Sequence, residues 1–207
     1  YSLIQEFEDI RYNKTYYQVH PLNRSYIKDE WWQKGEKERA HDIAAQYYLK
    51  KELTIDSLSK AVHHLRMAKK YKEMAELIVS SLHEMYLRGF WDESLAFYNL
   101  ILDEKERIEK IFQGIAYNNI GLIYRDKGEL DKALDYFLKA EKICIEVGNR
   151  VGLAFTYFSI SANLLNKGDF EKARDYLILG GYIAMVCGMK HELSQMAWAL
   201  EPIIKEI

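Results

Sequence analysis

From Gly35 onward, apolar residues recur at three- and four-residue steps, interrupted at regular points by single glycines. The clearest stretch is YNNIGLIYRDKGELDKALDYFLKA, residues 117–140. Tyr117, Ile120, Gly121 and Tyr124 make one helical face, Gly128 breaks the helix, and Leu130, Ala133, Phe137 and Ala140 make a second face. This pattern predicts a helix-turn-helix hairpin. Small residues at Gly121, Ala133 and Ala140 let two backbones approach, and Tyr117, Tyr124 and Phe137 fill the space around them.

The same pattern returns along the chain. Residues 38–50 carry Ala40, Ile43, Ala44 and Tyr47 on one side, and a helix beginning at Asp56 carries Leu58, Ala61, Leu65 and Ala68. A second hairpin, residues 71–102, has Ala75, Ile78, Leu82 and Met85, a break at Gly89, then Trp91, Ser94, Tyr98 and Ile101. The break glycines Gly89, Gly128 and Gly168 lie 39 and 40 residues apart, and the small residue five positions on recurs at Ser94, Ala133 and Ala173, with Ala61 another 33 upstream. Four hairpins in register constitute a repeat. The fourth follows the third at an offset of 40: Tyr157, Ile160, Gly168, Ala173, Leu177 and Gly180 stand where Tyr117, Ile120, Gly128, Ala133, Phe137 and Ala140 stand, with Gly121 replaced by Ser161 and Tyr124 by Leu164. Gly148 and Gly188 are expected to end the second helices. Residues 189–207 predict a further helix with Leu193, Met196, Ala197 and Leu200 inward, as a cap or the start of another repeat.

Residues 1–21 have a different periodicity. Leu3, Ile4 and Phe7, then residues 12–20, suggest two short strands around a turn at Asn13 and Lys14, after which Pro21 opens a helix running through Trp31 and Trp32. One of these adjacent tryptophans is expected to dock this lead on the first hairpin. The expected organisation is a lead at 1–34 and a helical repeat domain at 35–207.

The third hairpin resembles the tetratricopeptide (TPR) repeat, whose signature runs aromatic, Leu-Gly, Tyr, then Ala, aromatic and Ala at fixed offsets. A spacing of 39 or 40 instead of 34 adds about six residues, ~9 Å of helix, and implies lengthened second helices. The resemblance implies an all-α fold, a right-handed superhelix of hairpins whose first helices line a concave groove for a peptide or partner helix. Transferred from the Gly121 register, the groove positions are Asn118, Asn119, Leu122 and Arg125 in the third repeat and Phe155, Phe158, Ser159 and Ala162 in the fourth. The second repeat contributes Glu76, Val79, Ser80 and His83. Asn118 and Asn119 would hold a peptide backbone, Arg125 an acidic group, and Phe155 with Phe158 an apolar side chain. Chaperone-tail-binding relatives clamp a C-terminal carboxylate with lysine and asparagine; lysine is missing here, which favours a helical or mixed apolar-polar ligand. Separately, YYQVHPLNRSYI is similar to the closing wing and last helix of the winged-helix module that precedes helical repeats in STAND-class signalling NTPases. This remnant implies that the chain is one arm of a larger signalling protein. An alternative is a transcriptional regulator binding nucleic acid through a completed winged helix. The start at Tyr1 fits a piece of a longer reading frame.

Composition narrows the chemistry. At 49% hydrophobic and 29% charged, the 207 residues suit a soluble globular body. A formal charge of −2, from 29 basic and 31 acidic residues interspersed, argues against polyanionic partners. No apolar run reaches the ~20 residues of a membrane span, and YSLIQEFEDI lacks the basic start and apolar core of a signal peptide, so a cytoplasmic location is expected. Cys144 and Cys187 have no ligand-spaced neighbours and read as reduced thiols. No cofactor, metal or catalytic set is expected. No phosphate-cradling Gly-x-x-x-x-Gly-Lys-Ser/Thr loop occurs, His63 and His64 point about 100° apart on a helix, and His20, His41, His83 and His191 are isolated in sequence. Asp103, Glu104, Glu106 and Glu109, among Lys105, Arg107 and Lys110, read as a solvated helix face.

Overall fold

The structure, a computed structural model, describes residues 4–9, 14–19, 34–52 and 54–191. Contacts divide the chain into two compact units, Tyr1–Lys70 and Tyr71–Ile207. In the first, strands β1 (Ile4–Asp9) and β2 (Lys14–Val19) pair antiparallel, with Ile4 opposite Val19 and Asp9 opposite Lys14. The helix expected through Trp31 and Trp32, which would complete a winged helix, lies outside the described residues, as do His20 and residues 192–207 of the expected final helix.

Helices α1 (Lys34–Leu49) and α2 (Ile55–Met67) form the first hairpin. The start of α2 is fixed by a capping box: the Thr54 hydroxyl accepts from the Ser57 amide, and the Ser57 hydroxyl accepts from the Thr54 amide at 2.9 Å. Leu58, Ala61 and Leu65 are buried as the stripe predicts. The face of α1 is a correction. Ile43 and Tyr47 are 64% and 56% exposed, while Ala45 is fully buried. The helix is rotated so that His41 and Tyr48 reach the His64 ring of α2, a polar contact that an apolar count does not register.

The second unit contains three hairpins: α3 (Tyr71–Leu87) with α4 (Trp91–Asp103), α5 (Lys110–Asp126) with α6 (Leu130–Glu146), and α7 (Arg150–Lys167) with α8 (Phe170–Val186). The described residues are thus helical apart from β1, β2 and the connections. Gly89, Gly128 and Gly168 all turn at φ near +80°, the left-handed region that glycine enters without a Cβ penalty. Their recurrence in one conformation is why the breaks align in sequence. Both helices of the third and fourth hairpins are 17 or 18 residues long, so the extra length of the repeat is shared between first and second helices.

The packing of the third and fourth hairpins differs at one position in a compensated way. A Cβ on Gly121 would lie 2.5 Å from the Phe137 ring, so the fully buried phenylalanine requires glycine opposite it. In the fourth hairpin Leu177 replaces the phenylalanine, and Ser161 fits where Gly121 stood, its hydroxyl donating to the Ala173 carbonyl at 2.7 Å. Tyrosines wedge between helices as expected: Tyr124 stacks on Tyr136, and Tyr157 meets Tyr176 edge-on.

One charged stretch departs from its predicted form. Helix α4 stops at Asp103, and residues 104–109 form turns and not a solvated helix face. Glu104 is buried and pairs with Arg107, Ile108 is buried, and the Gln113 amide of α5 donates to the carbonyls of Lys105 and Ile108 at 2.8 and 2.9 Å. The Gln113 side chain thereby satisfies carbonyls that a longer α4 would have satisfied itself.

Candidate functional site

The first helices of the second unit are consecutive neighbours, α3 packing on α5 and α5 on α7, so they form one wall. Their inward faces are taken up by the buried stripes, which fixes what each leaves exposed on the wall. Between α3 and α5 this wall holds a cavity of about 220 Å³ lined by Val79, His83, Tyr86, Tyr98, Asn119 and Leu122. Four of these, Val79, His83, Asn119 and Leu122, are groove positions transferred through the glycine register. Residues 39 apart in sequence thereby meet in space.

Tyr86 and Tyr98 were not among the transferred positions. Tyr98, from α4, is buried at the cavity wall, and burial pushes its hydroxyl above the usual tyrosine range. Tyr86 is pushed up to about 12, first by burial and then by donating its hydroxyl to the Asp126 carboxylate. Both stay neutral and are hydrogen-bond donors near neutral pH. Only the sequence distance of 40 between Tyr86 and Asp126 hinted at their meeting, since it is one more than the offset of 39 between Gly89 and Gly128.

Arg125 is not an open anion site. Its Nε and Nη2 donate to Asp126 Oδ1 at 3.0 and 2.9 Å, while Asp126 Oδ2 accepts from Tyr86, so a ligand carboxylate must compete with Asp126. Asn119 donates from Nδ2 to the Ile115 carbonyl at 2.9 Å and borders the cavity with the rest of its amide. Asn118 is half-buried, with Oδ1 enclosed, and is not among the residues that line the cavity. Ser80 is exposed, its hydroxyl donating to the Leu77 carbonyl, and Glu76 is exposed.

Along α7 the transferred positions split. Phe155 is 44% exposed, Ser159 donates back to the Phe155 carbonyl, and Ala162 is half-buried. Phe158 instead packs inward on α8: a Cβ on Gly180 would lie 2.4 Å from its ring, and it joins the cluster around Ala154 and Ala184. The expected Phe155-Phe158 pocket is therefore corrected to a single exposed ring, because Gly180, where the third repeat has Ala140, opens space that draws Phe158 in.

In the first unit the structure joins residues that sequence distance separates. His41 and His64 share a hydrogen bond, Nδ1 to Nδ1 at 2.8 Å, and Tyr48 stacks on His64. Burial, then the neighbouring imidazoles, lowers both histidines below the ordinary value. His63 is exposed. Among the described residues, no group of three His, Cys, Asp or Glu is placed to hold a metal ion, and no helix is long and apolar enough to cross a membrane. Cys144 and Cys187 are free thiols, Cys144 held above its ordinary value by burial.

Comparison with known proteins agrees with this geometry. No curated protein matches the chain. The fold is similar to that in the crystal structure of the apo form of RapI, with a TM-score of 0.58 at 16% sequence identity, covering 89% of this chain and 72% of that one. Residues 112–178, from the start of α5 to the middle of α8, match the tetratricopeptide repeat family model.

Proposed function

We propose that the wall formed by α3, α5 and α7 binds a segment of another protein, and that the chain is a non-catalytic, cytoplasmic sensor or regulatory arm of a larger signalling protein. The observation that carries this reading is the α3/α5 cavity, where His83, Asn119 and Leu122 converge over Tyr98. It offers an apolar side and a rim of amide, imidazole and phenol groups, the mix that seats one anchoring side chain and fixes the backbone beside it. A volume of about 220 Å³ suits one medium-sized side chain, not a whole cofactor. With Arg125 engaged by Asp126, the favoured ligand is a mixed apolar-polar segment and not a free carboxylate tail. Occupying the wedge between two first helices would change their separation, which is the lever for passing a signal along stacked hairpins.

The test is a peptide array probed with the wild-type chain and with Leu122→Glu, Asn119→Ala and Ser80→Ala. Leu122→Glu should abolish capture of the peptides the wild type selects, Asn119→Ala should weaken it at least several-fold, and Ser80→Ala, outside the cavity, should leave it near wild type. Equal capture by all four chains removes the groove from the explanation.

A further inference from the structure

We propose that the outer face of α8 is the surface on which two copies of this chain associate. Ile178, Leu179, Tyr182, Met185 and Val186 are between 50% and 65% exposed, and their spacing places them on one stripe of the helix, about 120° wide. The chain contains its own control. From its second residue, Asp131, helix α6 has the same sequence of buried and exposed positions as α8, forty residues earlier, and there the corresponding residues are Leu138, Lys139, Lys142, Ile145 and Glu146. Three charges on α6 are thus three apolar side chains on α8. From Tyr176 to Val186 no charged residue occurs on any side of α8.

The stripe is not the surface that a following hairpin covers. Leu138 and Ile145 of α6 remain 40% and 59% exposed with α7 and α8 packed behind them, so continuing the array in the same way leaves the α8 stripe open. Gly181 adds a separate observation. It lies inside the helix at the edge of the stripe, where a Cβ would meet nothing within 4 Å, so no packing within the chain accounts for it, although glycine costs about 1 kcal/mol there relative to alanine. A glycine beside an apolar stripe permits a second helix to cross closely.

A second copy is the occupant these features fit. The stripe carries no charge to recruit a complementary charged partner, and an uncharged apolar surface pairs with itself about a two-fold axis, each Tyr182 crossing near the other copy's Gly181. The five side chains expose roughly 500 Å² per copy, so a pair buries about 1,000 Å², the lower bound for a specific interface, which fits a reversible dimer with micromolar affinity.

The test is sedimentation velocity on the full chain across a concentration series, for the wild type and for the variant carrying the α6 residues, Leu179→Lys, Tyr182→Lys and Val186→Glu, with Tyr182→Arg alone as the milder substitution. The wild type should dimerise, and both variants should sediment as monomers with unchanged helical circular dichroism, their dissociation constants raised at least tenfold. A wild type that stays monomeric at about 100 µM overturns the proposal. So does a folded Tyr182→Arg variant that dimerises like the wild type. Loss of helicity in the variants with a monomeric wild type also overturns it, and assigns the stripe to a segment of the same chain.

Discussion

The hairpins α5/α6 and α7/α8 share a backbone and an alternation of buried and exposed positions, yet they bury and present different chemistry. The third fits Gly121 under the Phe137 ring, presents Asn119 and Arg125 on its first helix, and carries lysines and a glutamate on its outer face. The fourth fits Ser161 against Leu177, tucks Phe158 over Gly180, and leaves both Phe155 and the α8 stripe apolar and exposed. The contrast shows that the repeat geometry is set by a few small-to-large contacts that trade volume in pairs. The remaining positions are left free to differ, and those are where binding can be specified.

The largest expected effect follows from breaking one such pair. Gly121→Ser places a Cβ within 2.5 Å of a ring with nowhere to move and should cost about 2–3 kcal/mol in urea unfolding. Adding Phe137→Leu recreates the fourth hairpin's arrangement and should leave the double variant no less stable than Phe137→Leu alone. If the two costs simply add, the paired-volume account fails.

Gly180→Ala should have a smaller effect, about 1 kcal/mol, because half-buried Phe158 can yield and alanine favours the helix. Combined with Phe158→Asn, which restores the third hairpin's Asn118 and Ala140, the clash should vanish. A thermal melt in which Gly180→Ala is equally costly with and without the second change would contradict it.

The α1/α2 hairpin sharpens the comparison, since its helices meet through His41 and His64 and not through a glycine and a ring. Both imidazoles are depressed in the folded chain, so the unfolded chain takes up protons first as pH falls. Stability is then complete above about pH 6.5 and declines as pH falls through that value toward the lower folded values. His64→Phe should flatten this slope. Amide exchange at pH 7 and pH 5 should show acid opening in α1 and α2 and none attributable to this pair in α5 to α8.

The smallest effect concerns ion pairs that recur in both hairpins. Lys127 with Asp92 and Lys167 with Asp131 occupy corresponding places, with highly exposed aspartates. Lys127→Ala and Lys167→Ala should each change stability by less than about 0.5 kcal/mol in denaturant titrations. A larger loss in one alone would mean that the hairpins differ electrostatically as well as in packing.

The alternating apolar stripes and the spacing of Gly89, Gly128 and Gly168 determined the hairpins and their register, because helical period and left-handed turns are local properties of the chain, while four of the six residues lining the cavity are groove positions that the resemblance to the tetratricopeptide repeat implies. Local information could not report how much room a neighbour leaves. Only the packed structure decided that Phe158 turns inward over Gly180, that Asp126 engages Arg125 and Tyr86, that His41 meets His64, and that the turn after α4 buries Glu104. These arrangements depend on how neighbouring helices and the turns between them pack, which is set when side-chain volumes and buried polar groups are satisfied together.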